Sequence, residues 1–88
     1  MTEKMVKVIN RAGIHARPSA ILVQTTKNFE SNIFFVKNSD RINAKSIMGI
    51  ITLGAGYGAE IKVIADGPDE EEAVEAISRI FESKFEEE

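Results

Sequence analysis

Hydrophobic and polar positions change period several times along the chain, and each change marks an element. Met5-Val-Lys-Val-Ile-Asn10 alternates, with Val6 and Val8 on one side and Lys7 on the other, as a half-buried strand does. Gly13 then permits a turn. From Ala16 the spacing becomes helical: Ala16, Ala20 and Val23 fall at i, i+4 and i+7, and Leu22 and Phe29 lie one heptad apart, with the helix expected to end near Lys27. Asn32 to Lys37 reads as a second strand, Asn38-Ser39-Asp40 as its turn, and Arg41 to Ala44 as a third strand, together a hairpin.

Ser46 is a competent helix N-cap, and the apolar run that follows it is stopped by Gly54, Gly56 and Gly58, which predicts a short helix. Glu60 to Asp66 alternates again, with Ile61, Val63 and Ala65 facing inward. After Gly67-Pro68, Asp69 to Glu72 put negative charge at the positive end of a last helix, whose expected buried stripe is Val74, Ile77, Ile80, Phe81 and Phe85. The order is βαββαβα. Strands and helices with one apolar face each predict an α+β open-faced sandwich: a four-stranded antiparallel sheet with three helices on one face. Parity puts Phe34, Val36 and Ile64 on the other face of the sheet, with Met5 and Ile9 alongside, so that face is unexpectedly apolar: by default an ordinary scatter of exposed hydrophobes, alternatively a patch that associates with itself or another chain.

Length and composition narrow the class. Eighty-eight residues suffice for one modest core, so residues 1–88 are expected to form a single domain. Hydrophobic residues at 43% and charged residues at 28% indicate neither disorder nor a membrane protein. The chain has no cysteine, which removes disulfides, thiolate chemistry and cysteine-based metal sites. No export signal or bilayer-length run is read at its start, and a cytoplasmic location without membrane insertion is expected. Charge is uneven: residues 1–65 carry nine Lys or Arg against four Asp or Glu, residues 66–88 two against ten. The basic part lacks the interleaved aromatics of a nucleic-acid platform, so an acidic protein is the better expected partner.

Candidate chemistry concentrates in Gly13-Ile-His-Ala-Arg-Pro-Ser-Ala20. A lone histidine before a helix is commonly a cap or a surface residue. Its setting argues for more. First-turn amides lack intrahelical partners, so a phosphate on the His15 ring would meet free N–H groups and the positive end of the dipole. Arg17 adds a fixed charge that can fork onto phosphate oxygens, and Pro18 suits a first turn because its missing N–H costs nothing there. As the chain's one histidine, His15 cannot share a histidine metal site, and neither metal nor cofactor is expected. Neutral imidazole is also a nucleophile at physiological pH, as reversible phosphorylation on nitrogen requires.

Gly-Ile-His-Ala-Arg-Pro at 13 to 18 resembles the active-site signature of the HPr family, the histidine-containing phosphocarriers of the bacterial phosphoenolpyruvate-dependent sugar phosphotransferase system. Lys45-Ser-Ile-Met-Gly49, with Leu53-Gly54 and Gly58-Ala-Glu-Ile61, resembles the family's regulatory serine region and the strand after it. The resemblance implies a stoichiometric carrier that is not itself an enzyme. His15 would accept a phosphoryl group through Nδ1 from the first enzyme of the system and pass it to sugar-specific components. Arg17 would supply counter-charge, and the backbone amides of Ala16 and Arg17 would receive the phosphate oxygens. It further implies regulation by phosphorylation of Ser46, with a serine kinase/phosphorylase and a catabolite-control regulator as further partners.

The resemblance also implies that Ile47, Met48 and Ile51 dock enzymes beside the histidine, while helical spacing assigns Ile50 and Leu53 to the core. A rim of Arg11, Lys27 and Lys45 would steer acidic partners. A monomer that binds no nucleic acid is expected. One departure from the family pattern is Ala12, where a small polar residue is usual, which removes one hydrogen bond from the loop before His15. Two alternatives stay open: a regulatory binding module recognised through Ser46, against which the presence of His15 argues, and a carrier serving nitrogen regulation. A small-molecule or RNA-binding domain is poorly supported by one tyrosine and no tryptophan.

Overall fold

A computed structural model describes residues 1–86. The elements are β1 (Thr2–Lys7), α1 (Ala16–Thr26), β2 (Asn32–Lys37), β3 (Asp40–Asn43), α2 (Ile47–Leu53), β4 (Glu60–Asp66) and α3 (Glu70–Glu82), followed by a single 3₁₀ turn at Lys84–Glu86. The four strands form one antiparallel sheet in the order β1-β4-β2-β3, and the three helices cover one face of it. β2 and β4 take the predicted bounds, because both alternate cleanly and sit in the middle of the sheet. Ile33, Phe35, Ile61, Val63 and Ala65 point from these strands into the core, where Phe35 meets Phe81 of α3 edge-to-face at 6.1 Å.

Elsewhere the structure departs from the expectation. β1 begins at Thr2, not Met5, and pairs with β4 from Thr2↔Ala65 to Lys7↔Glu60. Its polar start carries no hydrophobic alternation and is held by long-range bonds instead: the Thr2 hydroxyl donates to Glu70 Oε2 at 2.6 Å. β3 begins one residue early, since Asn38 takes φ 57° and closes the hairpin in two residues, leaving Asp40 to pair with Lys37. In α1 the buried stripe is Pro18, Ser19, Leu22, Val23 and Thr26, with Ala16 exposed. Counting only apolar residues misplaces that face. Ser19 donates its hydroxyl to His15 O at 2.7 Å and Thr26 donates to Ala44 O at 2.8 Å, so both can be buried without an unmet polar group.

Phe85 is buried as predicted, but not as part of α3. Lys84 and Phe85 take φ near +60°, and the turn they make swings the Phe85 ring against Phe81 at 5.0 Å. On the open face, Ile64 is only 9% exposed, and Phe34 lies opposite it with the Arg41 guanidinium 4.1 Å above its ring. The apolar character expected of that face is therefore largely covered by its own neighbours. Met5 is the exception, at 55% exposure.

Two acids at the start of α3 act across the fold more than along the helix. Asp69 accepts from the N–H groups of Glu30 and Ser31 at 2.9 and 3.0 Å and from the Ser31 hydroxyl, fixing the corner before β2. Glu70 accepts from Thr2, from the N-terminal ammonium at 2.9 Å and from Gly67 N–H at 3.1 Å. The Thr2 bond, then the ammonium and the Gly67 amide, hold the Glu70 carboxyl down at about 2, below its usual 4.5. A carboxyl lowered in the folded state contributes stability that is whole above its unfolded value and is lost as pH falls through the folded one. Glu70→Gln should therefore lower Tm at neutral pH and flatten the fall in Tm between pH 4.5 and 2. Melting curves across that range check it, and parallel curves for parent and variant would remove the effect.

Candidate functional site

The loop between β1 and α1 is braced from two sides. Within it, Gly13 N–H donates to Asn10 O at 3.1 Å, and the buried Asn10 side chain donates from Nδ2 to Gly13 O at 2.8 Å. Across the fold, Ile14 N–H donates to Ala55 O at 2.9 Å, and Ile14 is buried. Gly13 has φ +75°, and a Cβ there would lie 2.9 Å from Gly56 Cα and 3.0 Å from Ala55 O. Only glycine tolerates both the dihedral and the approach. His15 follows at the surface, as the N-cap residue of α1 in extended conformation, and its side chain makes no capping hydrogen bond.

The first turn of α1 then determines which amides an anion could meet. Ser19 N–H bonds His15 O at 3.0 Å, and Pro18 has no N–H, so the first-turn donors without an intrahelical acceptor are Ala16 and Arg17. Arg17 is exposed next to them. One ring, two amides and one guanidinium thus share the positive end of an 11-residue helix. The setting is open, not a pocket. An anion held there stays solvated on one side, which limits each interaction to the modest worth of exposed charge pairs.

Ser46 caps α2: its Oγ accepts from Gly49 N–H at 3.0 Å, and its carbonyl accepts from Ile50 N–H at 3.1 Å. α2 buries Ile50 and Leu53 and exposes Ile47, Met48 and Ile51 at 42%, 67% and 37%. Past the Gly54 cap of α2 come Ala55 and Gly56, which brace the His15 loop, so α2 and the loop share one backbone support. The basic rim divides. Arg11 and Arg17 lie at the His15 end of α1, whereas Lys27 caps its other end, about 16 Å away by helix rise. Lys45 is half-buried and donates its ammonium to Phe29 O at 2.7 Å, near Lys27 rather than His15.

Two residues went unread in the sequence. Asn10 was assigned to the end of a strand, but it organises the loop; an asparagine three residues before a glycine is turn chemistry and was the available signal. Tyr57, 69% exposed on the loop after α2, is flanked by Gly56 and Gly58 and carried no periodic signal at all.

The fold is a four-stranded open-faced sandwich, and His15 stands exposed on it at the start of α1. The chain belongs to the HPr family: the family model described as the PTS HPr component phosphorylation site matches residues 2–83. It is 51% identical, over the full length of both chains, to the phosphocarrier protein HPr of Treponema pallidum (strain Nichols). Among solved structures, HPr-C-His from Thermoanaerobacter tengcongensis superposes with a TM-score of 0.96 at 48% identity, covering 100% of this chain and 99% of that one. A structure of an HPr dimer from the same organism gives 0.80 at 47% identity, covering 99% and 100%. The family is one of phosphocarriers of the phosphotransferase system, which by name are carriers and not catalysts. Among the described residues no helix is long and apolar enough to cross a membrane.

Gly13 gives the site its first test. Gly13→Ala should cost about 2 kcal/mol and lower Tm by roughly 10 °C, because the new Cβ meets Gly56 backbone. Gly58→Ala is the control, since φ is +86° there but nothing lies within 4 Å of the added atom. Equal losses in the two variants would mean that the dihedral matters and the close approach does not.

Proposed function

We propose that this chain is the phosphoryl carrier of a sugar phosphotransferase system, with His15 as the acceptor. The observation that carries the reading is the exposed His15 ring at the start of α1 beside the two unspent amides of Ala16 and Arg17. In the proposed transfer, Nδ1 of His15 attacks the phosphorus of a phosphohistidine on the first enzyme of the system. A P–N bond forms here as the donor's P–N bond breaks, and the donor imidazole recovers its lone pair. The phosphoryl oxygens settle on the Ala16 and Arg17 amides with the Arg17 guanidinium as counter-charge. Passage to sugar-specific components is the same step reversed toward a new acceptor. Solvent exposure suits this role, because a carrier that enclosed the group would lower its transfer potential. Residues 1–88 act as one carrier domain in this reading, and the dimeric form of the Thermoanaerobacter tengcongensis relative makes a paired state compatible with that role.

Partners would dock on Ile47, Met48 and Ile51 and be steered by the basic charges around α1, Arg11 nearest His15 and Lys27 and Lys45 at the far end. Ser46 is the proposed regulatory site, read by a serine kinase/phosphorylase and a catabolite-control regulator. Its Oγ already accepts from Gly49 N–H, so a phosphate there keeps a helix-start partner while adding about two negative charges beside Ile47 and Met48. The fold would be preserved and docking of an acidic, apolar partner weakened.

Incubation with phosphoenolpyruvate and the first enzyme should place acid-labile phosphate on the parent chain and none on His15→Ala at unchanged Tm; labelled His15→Ala would end the assignment. Arg17→Ala should slow transfer by about threefold to tenfold, the worth of one charge-assisted hydrogen bond discounted for solvent exposure, and Arg17→Glu by more. Ser46→Asp, itself a good cap, should slow transfer at parent-like stability, whereas Ser46→Ala should transfer normally with about 1 kcal/mol less stability. Identical transfer rates in parent, Asp and Ala forms would remove the regulatory role of Ser46.

A further inference from the structure

β1 lies at one end of the strand order, so one of its long edges has no neighbouring strand. What that edge offers follows from its covered side. Val8 N–H donates to Ala59 O at 2.9 Å, toward β4. In an antiparallel ladder, residues alternate between bonding one neighbour and the other. Val6, Lys4 and Thr2 therefore bond toward β4, while Glu3, Met5 and Lys7 direct their backbone groups outward. Their side chains lie on the open face, opposite the buried Val6, and Met5 stands exposed between one acid and one base.

We propose that this edge pairs with the β1 edge of a second copy of the chain, antiparallel about a two-fold axis, with Met5 opposite Met5. Hydrogen bonding requires outward residues to meet outward residues, which leaves few registers. A register centred on Glu3 or on Lys7 opposes like charges at its centre. One centred on Lys4 or on Val6 sets Met5 against a charge. Centred on Met5, the pairing places Glu3 of each copy opposite Lys7 of the other and joins the two methionines, so charge and apolar surface are matched together.

The opposite face of the same strand agrees. That register sets Lys4 of one copy beside Val6 of the other, over a groove of about 180 Å³ between β1 and α3 whose lining includes that copy's own Lys4 and Lys7 besides Val6, Ser78, Phe81 and Glu82. Each Lys4 stem can lie along the partner's groove with its ammonium toward Glu82. Lysines on an edge strand ordinarily deter pairing; here both have an acid to meet in the second copy. β3 and α2 are at the other end of the sheet, so the pairing leaves the proposed docking surface of each copy open. One strand pair buries less than a standard interface, and the dimer is accordingly reversible and concentration-dependent.

The chain has no cysteine, so an introduced thiol reports contact without interference. In the proposed register two Met5 Cα atoms lie about 5.5 Å apart, inside disulfide reach. Under mild oxidation Met5→Cys should form a covalent dimer rapidly, and Lys7→Cys, whose thiols are held well apart, should not. In sedimentation from micromolar to millimolar concentration, the parent should show a rapidly reversible dimer. Glu3→Lys should weaken it by about tenfold or more, and Glu3→Lys combined with Lys7→Glu should restore it. The proposal is overturned if the parent stays monomeric throughout, if the charge exchange fails to restore pairing, if Lys7→Cys cross-links as fast as Met5→Cys, or if the dimer survives dilution as an exchanged-strand form would. These readouts do not involve phosphate, so they are separate from the test of His15.

Discussion

The contact between Gly13 and the backbone at Ala55 and Gly56 is the constraint on which the rest of the molecule's arrangement depends. A loop of eight residues between β1 and α1 has many ways to reach the start of a helix. Its course is restricted because Ile14 donates to Ala55 O and Gly13 approaches Gly56 closer than any side chain would allow. Asn10 closes the other half of the loop on Gly13 O. With those bonds in place His15 has a fixed backbone position at the end of the α1 dipole, and the surface of α2 is attached to the same support. In the proposed transfer, function and stability therefore meet in residues that do not touch the phosphate.

A carrier faces opposite demands: it must accept an anion and release it. The geometry answers both with few, exposed interactions. Two amides and one guanidinium are available, Pro18 contributes none, and Ser19 spends its own on His15 O. Each such bond is worth about 1.5–3 kcal/mol when made to charge, discounted further by solvent. A fourth or fifth donor, or burial, would deepen the well and slow the next transfer. An acidic excess, Glu70, Glu71, Glu72, Glu75 and Glu82, lies on α3, which packs over β1 and β4, while α2 packs on β3 and α1. Separation of the two along the sheet keeps that excess off the proposed docking surface.

Most of this was legible where the determinants are local. Strands β2 and β4 carry their full alternation within seven residues or fewer, and His15, Ala16, Arg17 and Pro18 are adjacent in the chain, so the helix start could be read there and its anion chemistry proposed with it. What could not be read depends on partners far away in sequence. Thr2 is strand because Ala65 and Glu70 hold it; Ser19 and Thr26 are buried because carbonyls of His15 and Ala44 receive their hydroxyls; Lys45 turns toward Phe29 O. Parity placed Phe34 and Ile64 on the open face, as they are, but it cannot show that Arg41 covers Phe34. The bracing of the loop by Ala55 and Gly56, some forty residues on, left no periodic trace at all.

Phosphate on His15 should be sensed at two amides and nowhere else in the first turn, which makes NMR of the phosphorylated chain the most direct measurement. After phosphorylation by phosphoenolpyruvate and the first enzyme, the ³¹P spectrum should hold a single resonance of a phosphoramidate on Nδ1. The ¹⁵N–¹H signals of Ala16 and Arg17 should shift strongly to low field, while Ser19, bonded to His15 O, moves little. A phosphate resonance on oxygen, or a phosphoramidate that leaves the Ala16 and Arg17 amides where they were, would contradict the assignment of this helix start as the seat of the transferred group.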